Sequence, residues 1–337
     1  MKYNKVLQSF LLFCLLLCII FLLNYTIYYN WKKTIRLPSK YPDYLDYPIP
    51  GYFNESITDK ERVYSPVNPR EIPILIDSVT GLDNLYLVFI IKSTVEQRNI
   101  RDFIRKSWAN KNCSRPGRKW SHFFTFGNTD SEENFFKLSV EADEFNDILL
   151  FDYKEHYLNN SYKFFYGLNY AVNQFREAKF YALMDDDFLV NQRNYIQYLD
   201  RIPLSKYDEF IGGHLMGINN YPVHKPNSRD YVSKDIYPYN SYAPYVSGGH
   251  VTLSGPLAKR VMRVFFYTRI FPIDDALLGL ILAKIRVKIA NIPEIYVEET
   301  EIPRRGKKNF ISIHSQNRHV PTKEKFWNQR KDTLCLR

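Results

Sequence analysis

Leu85-Tyr86-Leu87-Val88-Phe89-Ile90-Ile91 is an unbroken apolar run, and no other feature restricts the fold of this chain so tightly. A strand with one wet face alternates apolar and polar residues. A run without alternation is buried on both faces, as in a parallel sheet covered by helices. The sequence that follows keeps to that pattern. Ile100, Phe103, Ile104 and Trp108 recur at helical spacing between Arg98 and Ala109. Next a strand is predicted at His122–Phe126, a helix at about Ser131–Glu144 and a strand at Asp147–Phe151. A long helix over about Ser161–Glu177 and a strand at Phe180–Met184 complete the series. Strand and helix alternate without hairpin turns, so the expected fold class is α/β, with a mostly parallel, helix-flanked sheet. With 45% hydrophobic and 16% aromatic residues, the chain has ample material for a full-sized core and is no candidate for disorder.

Sheets of this kind bind ligands at the carboxyl ends of their strands, and Asp185-Asp186-Asp187 sits at one such end. Three adjacent carboxylates repel one another unless a cation or solvent compensates. If the strand runs extended through them, Asp185 and Asp187 share one side and Asp186 takes the other. That pair makes a hard-oxygen site for Mn²⁺ or Mg²⁺, with positions left for phosphate oxygens. A solvated acidic turn is the alternative. No GxGxxG or Walker motif occurs, which removes the usual dinucleotide and P-loop readings.

Asp274-Asp275 opens a predicted helix at Ala276–Ile285. Carboxylates are stabilised at a helix N-terminus, and one so placed can also act as a general base toward a hydroxyl. Both readings stand. Ser247-Gly248-Gly249 either lets the backbone approach a ligand or forms a plain turn before a strand at Val251–Leu253. His314 ends a short apolar run, and a lone histidine is as a rule structural.

The formal charge is +10, densest at Arg304-Arg305-Gly306-Lys307-Lys308. No nucleic-acid-binding pattern accompanies it, so no nucleic-acid partner is expected. Residues 1–5 read as a short cytoplasmic tail and 6–29 as a transmembrane signal-anchor, an apolar stretch with an aromatic rim long enough to span a bilayer. Residues 30–84 are rich in Pro and Tyr and read as an extended stem. The body, 85–337, is placed in the lumen, where sequons such as Asn54-Glu55-Ser56 are usable. Cys113 and Cys335 have no metal-ligand spacing, and pairing between them is open.

These segments together resemble the β-1,3-galactosyltransferase / β-1,3-N-acetylglucosaminyltransferase family, glycosyltransferase family 31. Arg101-Asp102-Phe103-Ile104-Arg105-Lys106-Ser107-Trp108 is similar to R-x-x-I-R-x-T-W. Phe124-Thr125-Phe126-Gly127 is similar to F-x-x-G, and Tyr157 to Lys163 to Y-x-N-L-T-x-K. Asp185-Asp186-Asp187 stands where the family has D-D-D. Tyr242 to Gly248 looks like Y-P-P-Y-x-x-G, and Asp274-Asp275-Ala276-Leu277-Leu278-Gly279 like E-D-V-x-x-G. The matches run in the family's order from about Leu85 to Trp327. Asp274 replaces Glu, and His250 stands at a position commonly Tyr, both of which bear on donor or acceptor choice.

The resemblance implies a GT-A-type fold and inversion at the anomeric carbon by a Golgi membrane protein of type II topology. It implies UDP-galactose as donor, or UDP-GlcNAc, and a glycan acceptor on glycoprotein or glycolipid. Asp185, Asp186 and Asp187 would bind the UDP-sugar, Asp185 and Asp187 through Mn²⁺ (or Mg²⁺), with His314 as a further metal ligand. Asp275 would be the base, with Asp274 in reserve. Arg101 and Arg105 would border the phosphate or uridine, or else cap and pack their helix. The competing classes are a non-catalytic glycan-binding relative and a metal-dependent phosphohydrolase.

Overall fold

The computed structural model of the protein describes residues 42–80, 83–114, 116–216, 228–300, 309–315 and 319–335. The anchor expected over residues 6–29 and the basic stretch at 304–308 lie outside the described residues. Among those described, no helix is long and apolar enough to cross a membrane.

The run that set the fold class is strand β2 (Leu87–Lys92), buried along its whole length. Its side chains alternate between two cores. Val88 and Ile90 face one, while Leu87, Phe89 and Ile91 face the other. In chain order, β1 (Ile74–Asp77) precedes it, and α1 (Arg98–Lys106), β3 (Trp120–Asn128), α2 (Glu132–Phe145), β4 (Ile148–Lys154), α3 (Asn160–Gln174) and β5 (Phe180–Asp185) follow. Next come β6 (Phe188–Val190), α4 (Gln192–Asp200), β7 (Ile211–Met216), β8 (Tyr245–Ser254), α5 (Gly255–Phe265) and α6 (Asp274–Lys284). Strands β9 (Ala290–Asn291), β10 (Ile295–Thr300) and β11 (Ser312–Ser315) and helix α7 (Val320–Asn328) come last.

The main sheet has the order β1-β4-β3-β2-β5-β8-β7-β9, and a small sheet has the order β10-β11-β6. Strands β4, β3, β2 and β5 are parallel, as the strand–helix alternation requires. The sheet as a whole is mixed: β8 runs antiparallel to both β5 and β7, and β1 antiparallel to β4. Local signals explain the helix ends. The Ser131 side chain accepts the Asn134 N–H at the start of α2, and Asn146 closes that helix in the left-handed region at φ 54°.

The boundary at Leu85 needs correction. Leu45 and Tyr47 are buried, and the Asn68 amide donates to the carbonyls of Phe265 and Thr268, both at 2.7 Å. Strand β1 adds an edge to the main sheet. The prolines suit this, because an edge strand needs ladder hydrogen bonds on one side only. The buried Lys284 ammonium, at the end of α6, donates to the carbonyls of Leu45 at 2.7 Å and Ile49 at 2.6 Å. Burial pulls its pKa down to about 8. What reads as a stem is, from about Tyr44 onward, part of the folded body.

Cys113, after α1, forms a disulfide with Cys335, 222 residues later in the chain. A bridge closing so long a loop chiefly restricts the unfolded chain. Cys335→Ser is therefore expected to lower the unfolding free energy by about 2–5 kcal/mol, read from guanidinium melts without reductant.

Candidate active site

Strands β2 and β5 end side by side, with Lys92 in register with Asp185, and their carboxyl ends open into a cleft of about 540 Å³. Its walls bring together Asp185-Asp186-Asp187, Asp274-Asp275 and Ser247-Gly248-Gly249, segments separated widely in the chain. Antiparallel β8 makes this possible. Its first residues lie at the same sheet edge as the last residues of β5, with Met184 opposite His250.

The strand does not run extended through the triplet. It ends at Asp185, and the chain turns at Asp186-Asp187 before β6. Each of the three carboxylates, all lining the cleft, has a partner of its own. Asp185 takes an ion pair from Lys92 at 3.0 Å. Asp186 is buried and accepts from the Ser93 hydroxyl at 2.7 Å. Asp187 faces His314, with Oδ2 3.3 Å from Nε2. Burial pushes Asp185 up to about 6, helped by Asp187 and Asp274 and opposed by Lys92. For Lys92 the balance runs the other way: burial alone would depress the ammonium, but Asp185 and Asp274 hold it well above its ordinary value.

The small sheet explains why His314 meets a residue so distant in sequence. Strand β11 pairs antiparallel with β6, setting His314 opposite Phe188, against whose ring the imidazole stacks. The Ser315 N–H donates to the Asp187 carbonyl at 3.0 Å. His314 Nδ1 lies 3.1 Å from the Val297 carbonyl, which can only accept, so Nδ1 carries the hydrogen. Nε2 then turns its lone pair toward the Asp187 carboxylate. Two acceptors so close are reconciled by a cation or a proton between them. One carboxylate and one imidazole, oriented by a carbonyl behind it, fit a divalent ion such as Mn²⁺. Among the described residues no group of three His, Cys, Asp or Glu side chains is assembled for a metal.

Asp274 and Asp275 open α6, and the two carboxylates have separate partners. Asp274 is buried and receives the Lys92 ammonium at 2.6 Å. Asp275 accepts the Ala276 N–H at 2.7 Å and the Gly248 N–H at 3.2 Å. Burial, followed by repulsion from Asp274, pushes Asp275 up to about 7 despite those donors and Lys92. Ser247-Gly248-Gly249 is strand, not turn. Gly279 explains how the helix reaches it: a Cβ there would lie 2.6 Å from Tyr245 Cβ and 2.7 Å from the Pro244 carbonyl. Only glycine lets α6 lie so close to the backbone at the start of β8.

Three residues singled out in the sequence do not line the cleft. Arg101, fully buried, forks onto Glu141 at 2.7 and 2.6 Å. Arg105 engages Asp147 at 2.8 Å and Glu141 at 2.6 Å. Neither lines the cleft, so of the two roles open to these arginines, bordering phosphate or uridine and packing their helix, the ion pairs fit the second. His250 is fully buried and bonded to the Ser312 hydroxyl at 2.7 Å. Burial takes its pKa down to about 3, so it is a neutral core residue with no ligand-facing role.

A family model described as Galactosyltransferase matches residues 99–293, more than half of the chain. The chain belongs to this family of galactosyltransferases. Beta-1,3-galactosyltransferase brn of Drosophila melanogaster is 26% identical over 246 residues, covering 72% of this chain and 74% of the relative. A human acetylgalactosaminyl-O-glycosyl-glycoprotein beta-1,3-N-acetylglucosaminyltransferase is 29% identical over 224 residues, covering 64% of this chain and 57% of the relative. Among solved structures, a glycosyltransferase involved in glycosylation of the PBCV-1 major capsid is similar at TM-score 0.38 and 14% identity. That similarity covers 71% of this chain and 98% of the solved one.

The protein is thus a glycosyltransferase, and its cleft contains side chains that the sequence reading had passed over. Lys92 reads in sequence as the polar end of an apolar run. In the transferase it bridges the triplet to the Asp274-Asp275 pair. Lys163 lies inside the segment similar to Y-x-N-L-T-x-K, where nothing local marks its role. It is buried, joins Glu155 at 2.7 Å and donates to the Ser93 carbonyl at 2.9 Å.

Proposed function

We propose that the protein is an inverting β-1,3-hexosyltransferase of GT-A type. In this reading it moves galactose from UDP-galactose to a hydroxyl of a glycan acceptor, as a Mn²⁺-dependent type II membrane protein of the Golgi. One observation carries the proposal: a single cleft is lined by Asp187, whose carboxylate lies 3.3 Å from His314 Nε2, and by Asp275, whose pKa is pushed up to about 7 by burial. A base poised near working pH suits removal of a proton from a hydroxyl. A glycan-binding relative has no use for such a group.

In this mechanism the Asp275 carboxylate takes the proton of the acceptor hydroxyl as its oxygen bonds to the anomeric carbon and the bond to diphosphate breaks. The Gly248 and Ala276 N–H groups fix the carboxylate's orientation. Lys92 bridges Asp185 and Asp274 and offsets the repulsion between them, so the donor and acceptor sides keep their shapes in spite of like charges. Asp187 and His314 would hold Mn²⁺, which neutralises charge on a departing diphosphate.

The test is product analysis with UDP-galactose and UDP-GlcNAc across common glycan acceptors. A β-1,3-linked galactoside supports the reading in full. A β-1,3-linked N-acetylglucosaminide overturns the donor assignment alone, and no transfer from either donor overturns the reading. A pH profile adds a second check. Asp275 must be ionised to act, so kcat/KM should rise through about pH 7 and level off above it. Asp274→Asn removes a neighbouring negative charge and should move that midpoint down.

A further inference from the structure

The turn that follows β2 is gripped from two distant parts of the chain. Arg101 Nη1 donates to the Ser93 hydroxyl at 3.2 Å and to the Thr94 carbonyl at 2.5 Å. From the other side, Lys163 donates to the Ser93 carbonyl. Both basic side chains are almost wholly buried, and both are anchored in turn, Arg101 by Glu141 and Lys163 by Glu155. The Ser93 hydroxyl accepts from Arg101 and passes its own hydrogen to Asp186, the middle residue of the triplet. Hydrogen bonds chained in this way strengthen one another where the local dielectric is low.

We propose that Arg101 and Lys163 are positioning residues: by fixing Ser93-Thr94 they lock Asp186 through the serine hydroxyl, and so set the aim of Asp187 toward the divalent cation. The proposal rests on the reading that Asp187 and His314 hold such an ion. Asp186 and Asp187 form the two-residue turn between β5 and β6, so a side chain tied down at the first is a constraint on the second. The basic residues of two separate motifs thereby acquire one purpose, as supports behind the cleft.

The experiment is a titration of Mn²⁺ alone into the full chain, followed by loss of the free-ion electron paramagnetic resonance signal, without donor or turnover. Ser93→Ala deletes the link and is small enough to leave the fold intact, which thermal melting verifies. It should weaken Mn²⁺ binding by up to about 10-fold, since a partner bonded directly to a metal ligand is worth about 10–100-fold and Ser93 acts one residue removed. Arg101→Lys keeps the charge but loses the fork, and should weaken binding in the same direction. Wild-type affinity in a normally folded Ser93→Ala chain overturns the proposal and leaves the metal reading standing. A wild-type chain that binds no Mn²⁺ overturns the metal reading and the proposal with it. If Arg101→Lys fails to fold, Ser93→Ala decides alone.

Discussion

Asp275→Asn is expected to lower the rate of sugar transfer by about 10²–10⁴-fold, the usual worth of a positioned general base, with UDP-sugar affinity unchanged. The substitution is nearly isosteric, and the amide oxygen can still accept from one of the two N–H groups that hold the carboxylate, Ala276 on Oδ1 or Gly248 on Oδ2, while the other loses its acceptor. What disappears is a group able to take a proton near pH 7. Unfolding is not the cause to expect. The pKa of Asp275 is raised in the fold from 3.8 to about 7, so the folded state binds this proton more tightly than the unfolded chain. The stability this brings is full below about pH 4 and is lost as pH rises toward 7. Above pH 7 an uncharged side chain at 275 should thus be no less stable than the carboxylate. Initial transfer rates, donor titration and a melt at pH 8 make the set. Unchanged transfer would return the base role to Asp274 or to another group.

Asp187→Ala should act on the other half of the reaction. Donor affinity is expected to fall by about 100-fold or more, since the charge stabilisation a divalent ion gives a diphosphate amounts to several kcal/mol. His314→Ala would leave one of the two ligands proposed here and should produce a smaller loss in the same direction. Metal removal supplies the control. Chelation should weaken donor binding sharply in the wild type and have no further effect in Asp187→Ala. Donor binding that survives both the substitution and the chelator would mean that the diphosphate is held by side chains alone.

The legible and illegible parts of this molecule differ in the range of the interactions that make them. The unbroken run at Leu87–Ile91 announces a strand buried on both faces without help from any distant residue, and α1 to α3 follow from local periodicity in the same way. The direction of β8 has no such local signal. It depends on which strand Tyr245–Ser254 meets. Burial of Leu45 and Tyr47 in a proline-rich segment is likewise a tertiary fact. In the site, the triplet is visible because three carboxylates after an apolar strand demand compensation. The partner of Asp187 is not visible, because His314 lies 127 residues away. The role of Arg101 stays open in the sequence for the same reason. Forty residues separate it from Glu141, and a lone arginine on a helix gives no hint that its charge is already spoken for.

The clamp at the end of α6 also decides where this enzyme can be cut. A soluble fragment starting at Leu85, the first residue that looks folded in sequence, would discard β1 and the carbonyls that receive the Lys284 ammonium. It would leave the outer edge of β4 bare and a cation stranded at the far end of the helix that carries Asp275. Such a fragment should aggregate or lose activity, whereas one that keeps residues from 42 onward should retain both fold and function. Side-by-side secretion yield and transfer rate for the two lengths would show the difference, and equal behaviour would mean that the strap is dispensable.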